Sequence, residues 1–183
     1  MNSLRKLHPS NISAAEPSSV TLLHGAGQRK LFVRSTNVIQ LPEISEFVAW
    51  DFLNESLIQS ELSSRFENKF LAKVEHNRVS AEPLAVYQLC RRQEEVKIVA
   101  TLGGFPKIEI SLGQYFHAFL EQSEGQKGPL RTDGFVNVGF VRLDTGPLQV
   151  VSGTWLKSGK WYFDAEDCSN RYFLRHACFI GRP

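Results

Sequence analysis

A chain of 183 residues, 42% apolar and 22% charged, has the size and composition of one ordinary globular domain that needs no disulfide or metal staple. A net charge of +2 argues against a strong polyanion binder, and no run of about 18 apolar residues exists to span a membrane. Three unevenly spaced cysteines (Cys90, Cys168, Cys178) do not make a secreted disulfide framework, and Arg5 and Lys6 have no apolar stretch behind them, so the cytoplasm is the expected compartment.

The chain holds 13 Phe against one Met, so its core is expected to be built of stiff aromatic wedges. Charge is uneven along it: residues 1–34 carry +4, residues 35–124 carry −5 and residues 125–183 carry +3.

Residues 1–19, rich in Ser, Asn, Ala and Pro, read as a flexible tail, and 20–183 as a single domain. A hairpin is expected from Val20–His24 and Leu31–Leu41 around Gly25-Ala26-Gly27. Pro42, Glu43 and Glu46 suit a helix start, and Ile58, Leu62, Phe66 and Phe70 stand four apart. They predict a long helix from Glu43 to Phe70, with a break near Asn54. Short strands follow at Leu84–Leu89, Val96–Leu102 and Lys107–Ile110, turned by Arg92-Gln93-Glu94 and Gly103-Gly104. Leu112–Gln122 reads as a short helix on the spacing of Leu112, Phe116, Phe119 and Leu120. From Gly134 to Ile180, the turn signals Asp144-Thr145-Gly146-Pro147, Ser158-Gly159 and Cys168-Ser169-Asn170 divide a β-meander.

The expected fold is α+β: a mostly antiparallel sheet with a C-terminal meander, and one long and one short helix packed on it. The order of elements resembles that of the nuclear-transport-factor-2-like architecture. That resemblance implies helices leading into curved hairpins that close a cone around a pocket.

A two-residue turn at Ser158-Gly159 would pair Trp155 with Tyr162, and the next turn would pair Asp164 with Arg175. Alternation then puts Leu156, Trp161, Phe163, Ala165, Tyr172, Leu174, His176, Cys178 and Ile180 on a core face. The opposite face would collect the aromatics Trp155, Tyr162, Phe173 and Phe179 with Lys157, Lys160, Arg171 and Arg175 and the acids Asp164 and Glu166. Such a surface stacks planar groups and meets anionic ones.

No catalytic or cofactor motif survives inspection. Asp144-Thr145-Gly146 occurs once, whereas an aspartic dyad needs two carboxylates. His176 and Cys178 lack a third and fourth metal ligand within reach. Asp164 to Asp167 lacks the Gly and distal Glu of a calcium loop. His24 to Lys30 lacks the spacing of a phosphate loop.

The expectation is therefore a non-catalytic binding protein with no cofactor. Its site would be Trp155, Lys157, Lys160, Tyr162, Phe173 and Arg175, and its partner a protein, a second copy of the chain or single-stranded nucleic acid. One alternative is a small-molecule or enzymatic pocket near His117, with Asp133 or Asp164 assisting, and another is an obligate homo-oligomer that uses the same face as its subunit contact.

Overall fold

β-branched and aromatic residues dominate Asn137–Val141, Gln149–Trp155 and Trp161–Asp167, and these three segments form an antiparallel meander. This computed structural model describes residues 31–44, 46–55, 58–71, 74–75, 81–142, 146–169 and 171–183. The expected tail, the strand at Val20–His24 and most of the Asp144–Gly146 turn lie outside the described residues.

The first half of the chain holds β1 (Phe32–Ile39), β2 (Phe47–Val48), α1 (Ala49–Glu55), β3 (Ser60–Leu62), α2 (Ser64–Phe66, running into a π-turn at Glu67–Leu71) and β4 (Val74–Glu75). Then come β5 (Leu84–Leu89), β6 (Gln93–Glu94), α3 (Glu95–Thr101), α4 (Phe105–Ile108), β7 (Glu109–Ile110) and α5 (Leu112–His117). A 3-10 turn at Leu120–Gln122 precedes β8 (Asn137–Val141), β9 (Gln149–Trp155), β10 (Trp161–Asp167), β11 (Tyr172–Phe173) and β12 (Cys178–Gly181).

The main sheet runs β1-β5-β12-β8-β9-β10-β3, with β7 paired alongside β8. It is mostly antiparallel; β12–β8, β7–β8 and β10–β3 are parallel. Among the described residues no helix is long and apolar enough to cross a membrane.

Several sequence expectations need correction. The long helix from Glu43 to Phe70 is absent. Ser60–Leu62 instead pairs with Trp161–Phe163, and Ser63 caps a new helix by accepting the Phe66 N–H at 3.0 Å. Val96–Leu102 is helical, because Ile98, Val99 and Leu102 also fit a 3.6-residue period and pack on the sheet. Within Lys107–Ile110 only the last two residues are strand.

The meander, finally, stops at β10. β12 inserts between β5 and β8 instead of returning along β10. Every residue of β12 is buried, as suits a central strand covered on both faces. Asp164 and Arg175 are therefore not cross-strand partners.

The β9–β10 hairpin differs by one residue from its expected register. Leu156 N–H donates to Lys160 O at 2.8 Å, and Gly159 takes φ +79°. The loop thus has three residues with a left-handed glycine, and Trp155 pairs with Trp161. A one-residue slip moves a side chain to the other face, so Trp155 leaves Tyr162 and joins the core side.

Both faces of the sheet are covered. On the first, α2, α5 and the turn after α5 bring Phe66, Phe116 and Phe119 against Trp161 and Phe163. Gly139 and Gly153 let those rings approach the backbone: a Cβ on Gly153 would stand 2.6 Å from Phe119 Cζ, and one on Gly139 2.4 Å from Tyr115 Cδ2. On the second face, Ile98, Val99, Ile108 and Phe173 pack against Ala85, Tyr87, Phe140 and Phe179. The sheet is a layer between two cores, not the wall of one cone.

Candidate binding cleft

Phe173 anchors the segment that follows β10. Its ring meets Phe179 edge-on, with centroids 5.0 Å apart, while its neighbours Tyr172 and Leu174 point outward, 53% and 68% exposed. Strand alternation accounts for this pattern. The segment 171–175 forms a strap: β11 pairs with β6, and Glu95 N–H donates to Arg171 O at 2.8 Å.

Between this strap and the second sheet face lies a cleft of about 580 Å³. Val138, Val150 and Ser152 form its floor, Phe135 and Val136 one wall, and Leu174 and Arg175 the other. Two buried amides hold the loop that leads into the Phe135 wall. Asn137 accepts from Arg131 N–H (2.8 Å) and donates to the carbonyls of Arg131 (2.9 Å) and Gly153 (3.2 Å). Gln122 accepts from Leu130 N–H (2.7 Å) and donates to Leu130 O (3.1 Å). A rim tied down in this way is pre-organised, which lowers the ordering cost of binding.

Arg171 closes the inner end. Its guanidinium pairs with Glu166 and lies 3.3 Å from the carboxylate of Glu95, which is 5% exposed. Burial holds the Glu95 carboxyl above the usual carboxylate range, and Arg171 pulls it back down. Arg175, by contrast, is exposed and forms no ion pair with any described residue.

A second cleft, about 510 Å³, borders the edge strand β3 and is lined by Trp50, Leu53, Ile58 and Leu62 among others. Among the described residues no charged side chain lines it, and it adjoins segments outside them. The strap cleft is the better-defined site.

The structure brings only two of the sequence-derived site residues, Phe173 and Arg175, to this cleft. Trp155 is half-buried on the opposite face, its ring 5.2 Å from Trp161. Lys157 sits at the exposed hairpin tip, and Lys160 is 3.5 Å from Glu61. Tyr162 is half-buried on β10 beside Thr154 and Glu61. The single aromatic-basic face does not assemble.

Tyr172 and Leu174, expected in the core, are exposed at the rim, and Phe135 joins them there with no motif in the sequence to mark it. His176 takes φ +75°, which turns the chain out of the strap and breaks the alternation that would have buried them.

The titratable candidates are held structurally. His117 contacts Gly113 O through Nδ1 at 2.8 Å, packs its ring 4.9 Å from Phe52, and lines neither cleft. Asp133 pairs with Arg131, whose hydrogen bond holds it below the usual carboxylate range. Burial pushes Asp164 up, but hydrogen bonds from Ser63, the Ala165 N–H and Arg65 outweigh it and keep the carboxyl below its usual range.

Burial also pushes Cys168 up to about 11 and Cys178 up to about 12. Neither thiol offers a thiolate at neutral pH, the form that attacks or ligates. Among the described residues no group of three or more His, Cys, Asp or Glu side chains is placed to hold a metal ion. Compared with known proteins, the chain matches no protein-family model, no curated protein and no solved structure.

Proposed function

We propose that this protein is a non-catalytic interaction module whose contact surface is the strap cleft and whose partner is a protein or peptide. The observation that carries this reading is the gathering of Phe135, Tyr172 and Leu174, respectively 36%, 53% and 68% exposed, around one opening beside Arg175. Exposed apolar side chains scattered singly need no explanation, whereas a contiguous group marks a contact site. Aromatic residues and Arg over an apolar floor are also the composition of interface hot spots.

A peptide display library tests the reading. Sequences enriched on the native protein are expected to lose binding to a Tyr172→Ala, Leu174→Asp double variant. Both side chains are exposed, and Tyr172 also gives up its hydrogen bond to Glu94, so the double variant should lose no more than about 2 kcal/mol and stay folded, which a melting curve checks. Enriched peptides that hold both proteins equally would place the contact surface elsewhere. Light scattering on the same pair shows whether a second copy of the chain occupies the cleft.

A further inference from the structure

The charges around the cleft are unevenly matched. Each nearby carboxylate already has a partner. Glu94 accepts the Tyr172 hydroxyl at 2.5 Å and lies 3.3 Å from Lys97. Asp133 is taken by Arg131, and Glu166 by Arg171 and Arg65. Two arginines are left over. Arg92 lies 4.6 Å over the Tyr172 ring, Arg175 lines the cleft, and neither forms an ion pair with a described carboxylate. We infer that the cleft's occupant is a peptide segment with one large apolar side chain flanked by carboxylates. The inference rests on reading the cleft as an interaction surface.

Three features support it. The floor of Val138 and Val150 suits an apolar side chain, and about 580 Å³ lies within the range of clefts that hold a ligand group. Arg175, which lines the cleft, and Arg92, which stands over the lining residue Tyr172, would meet acidic groups next to such an anchor, and Arg forms the stronger, bidentate carboxylate pairs.

The third feature is that the rim rings are poor stacking platforms for nucleic-acid bases. Arg92 covers a face of Tyr172, Arg131 lies 5.0 Å over Phe135, and His176 packs 5.1 Å from Phe135. Single-strand recognition needs open aromatic faces. The same rings still present apolar edges to a peptide.

The test is fluorescence anisotropy on the full chain with four labelled probes at low and raised salt. They are a short peptide of Leu and Phe flanked by Glu and Asp, its Gln/Asn counterpart, its Ala-for-Leu/Phe counterpart, and oligo-dT. The acidic apolar peptide should bind about tenfold tighter than either counterpart at low salt, and its advantage over the Gln/Asn peptide should shrink as salt rises. An Arg92→Ala, Arg175→Ala double variant should lose about tenfold for the acidic peptide alone, with an unchanged melting temperature.

Equal binding of the Gln/Asn peptide, lost in the Leu174→Asp variant, would overturn the acidic chemistry and leave the interaction surface standing. Tighter binding of oligo-dT, lost in the arginine double variant, would overturn the peptide in favour of nucleic acid. No binding of any probe at about 1 mM would overturn this inference, while peptides recovered from the display library would still support the cleft as a surface.

Discussion

Trp161→Ala should be among the most damaging single substitutions in the chain. The side chain is fully buried and stands edge-on to Phe119 and Trp155, with centroids 4.7 Å and 5.2 Å away. Its Nε1 donates to Gln122 O at 3.0 Å. Truncation leaves a cavity costing about 3–5 kcal/mol and removes one of two hydrogen bonds to the Gln122 carbonyl, which keeps the one from the Gly125 N–H at 2.9 Å. Total stability of a domain is about 5–15 kcal/mol, so the variant should lose a large part of it. Trp161→Phe keeps most of the ring contact and loses the hydrogen bond, and should fall between the two. Denaturant midpoints read both. A loss below about 1 kcal/mol for the alanine variant would mean that Trp161 does not sit in this core.

The second large effect is expected at Arg171. Removing it leaves the buried Glu95 carboxylate without its cation, and breaking one side of a buried pair costs about 3–5 kcal/mol. The strap would also lose its ties to Glu166 and to the Asp167 carbonyl.

This loss should depend on pH. Glu95 is raised in the folded protein, so its contribution to stability is full below the ordinary carboxylate pKa and disappears as pH rises through the folded value. Without Arg171 the folded value rises further. The deficit of Arg171→Ala relative to the native chain should therefore be smallest at acidic pH, below the ordinary carboxylate range, and grow toward neutral pH. An Arg171→Ala, Glu95→Gln double variant should recover part of the loss at neutral pH. Urea unfolding at several pH values checks both, and a deficit that is flat with pH would contradict the role given to Glu95.

Some of this architecture is written locally. The Ser111–Gln114 capping box marks the start of α5, with Ser111 and Gln114 bonding each other's backbone at 3.0 Å, and the Leu112, Phe116, Phe119 spacing continues into the core. The β9 and β10 segments show in their β-branched and aromatic runs. Ser63 is a legible helix start as well, but the four-residue spacing of Ile58, Leu62, Phe66 and Phe70 masks it, since all four pack into or against the same core from different elements.

Other features depend on partners far along the chain. β11 pairs with β6, about eighty residues earlier, and nothing within Arg171–Arg175 announces it. The continuous apolar run Ala177–Ile180 does indicate a doubly covered central strand, but not which strands flank it. The site was legible to the same extent. Phe173 and Arg175 stood out by composition, whereas Phe135, Tyr172 and Leu174 became rim residues only through the strap's pairing and the turn at His176.

The most direct measurement is an NMR titration of the labelled full chain with the acidic apolar peptide, followed residue by residue through the backbone amides. The account predicts shifts concentrated at Val136, Ser152, Leu174 and Arg175, with the hairpin from Trp155 to Lys160 unaffected. Shifts concentrated on that hairpin, or at Trp50 and Leu62 beside β3, would contradict it.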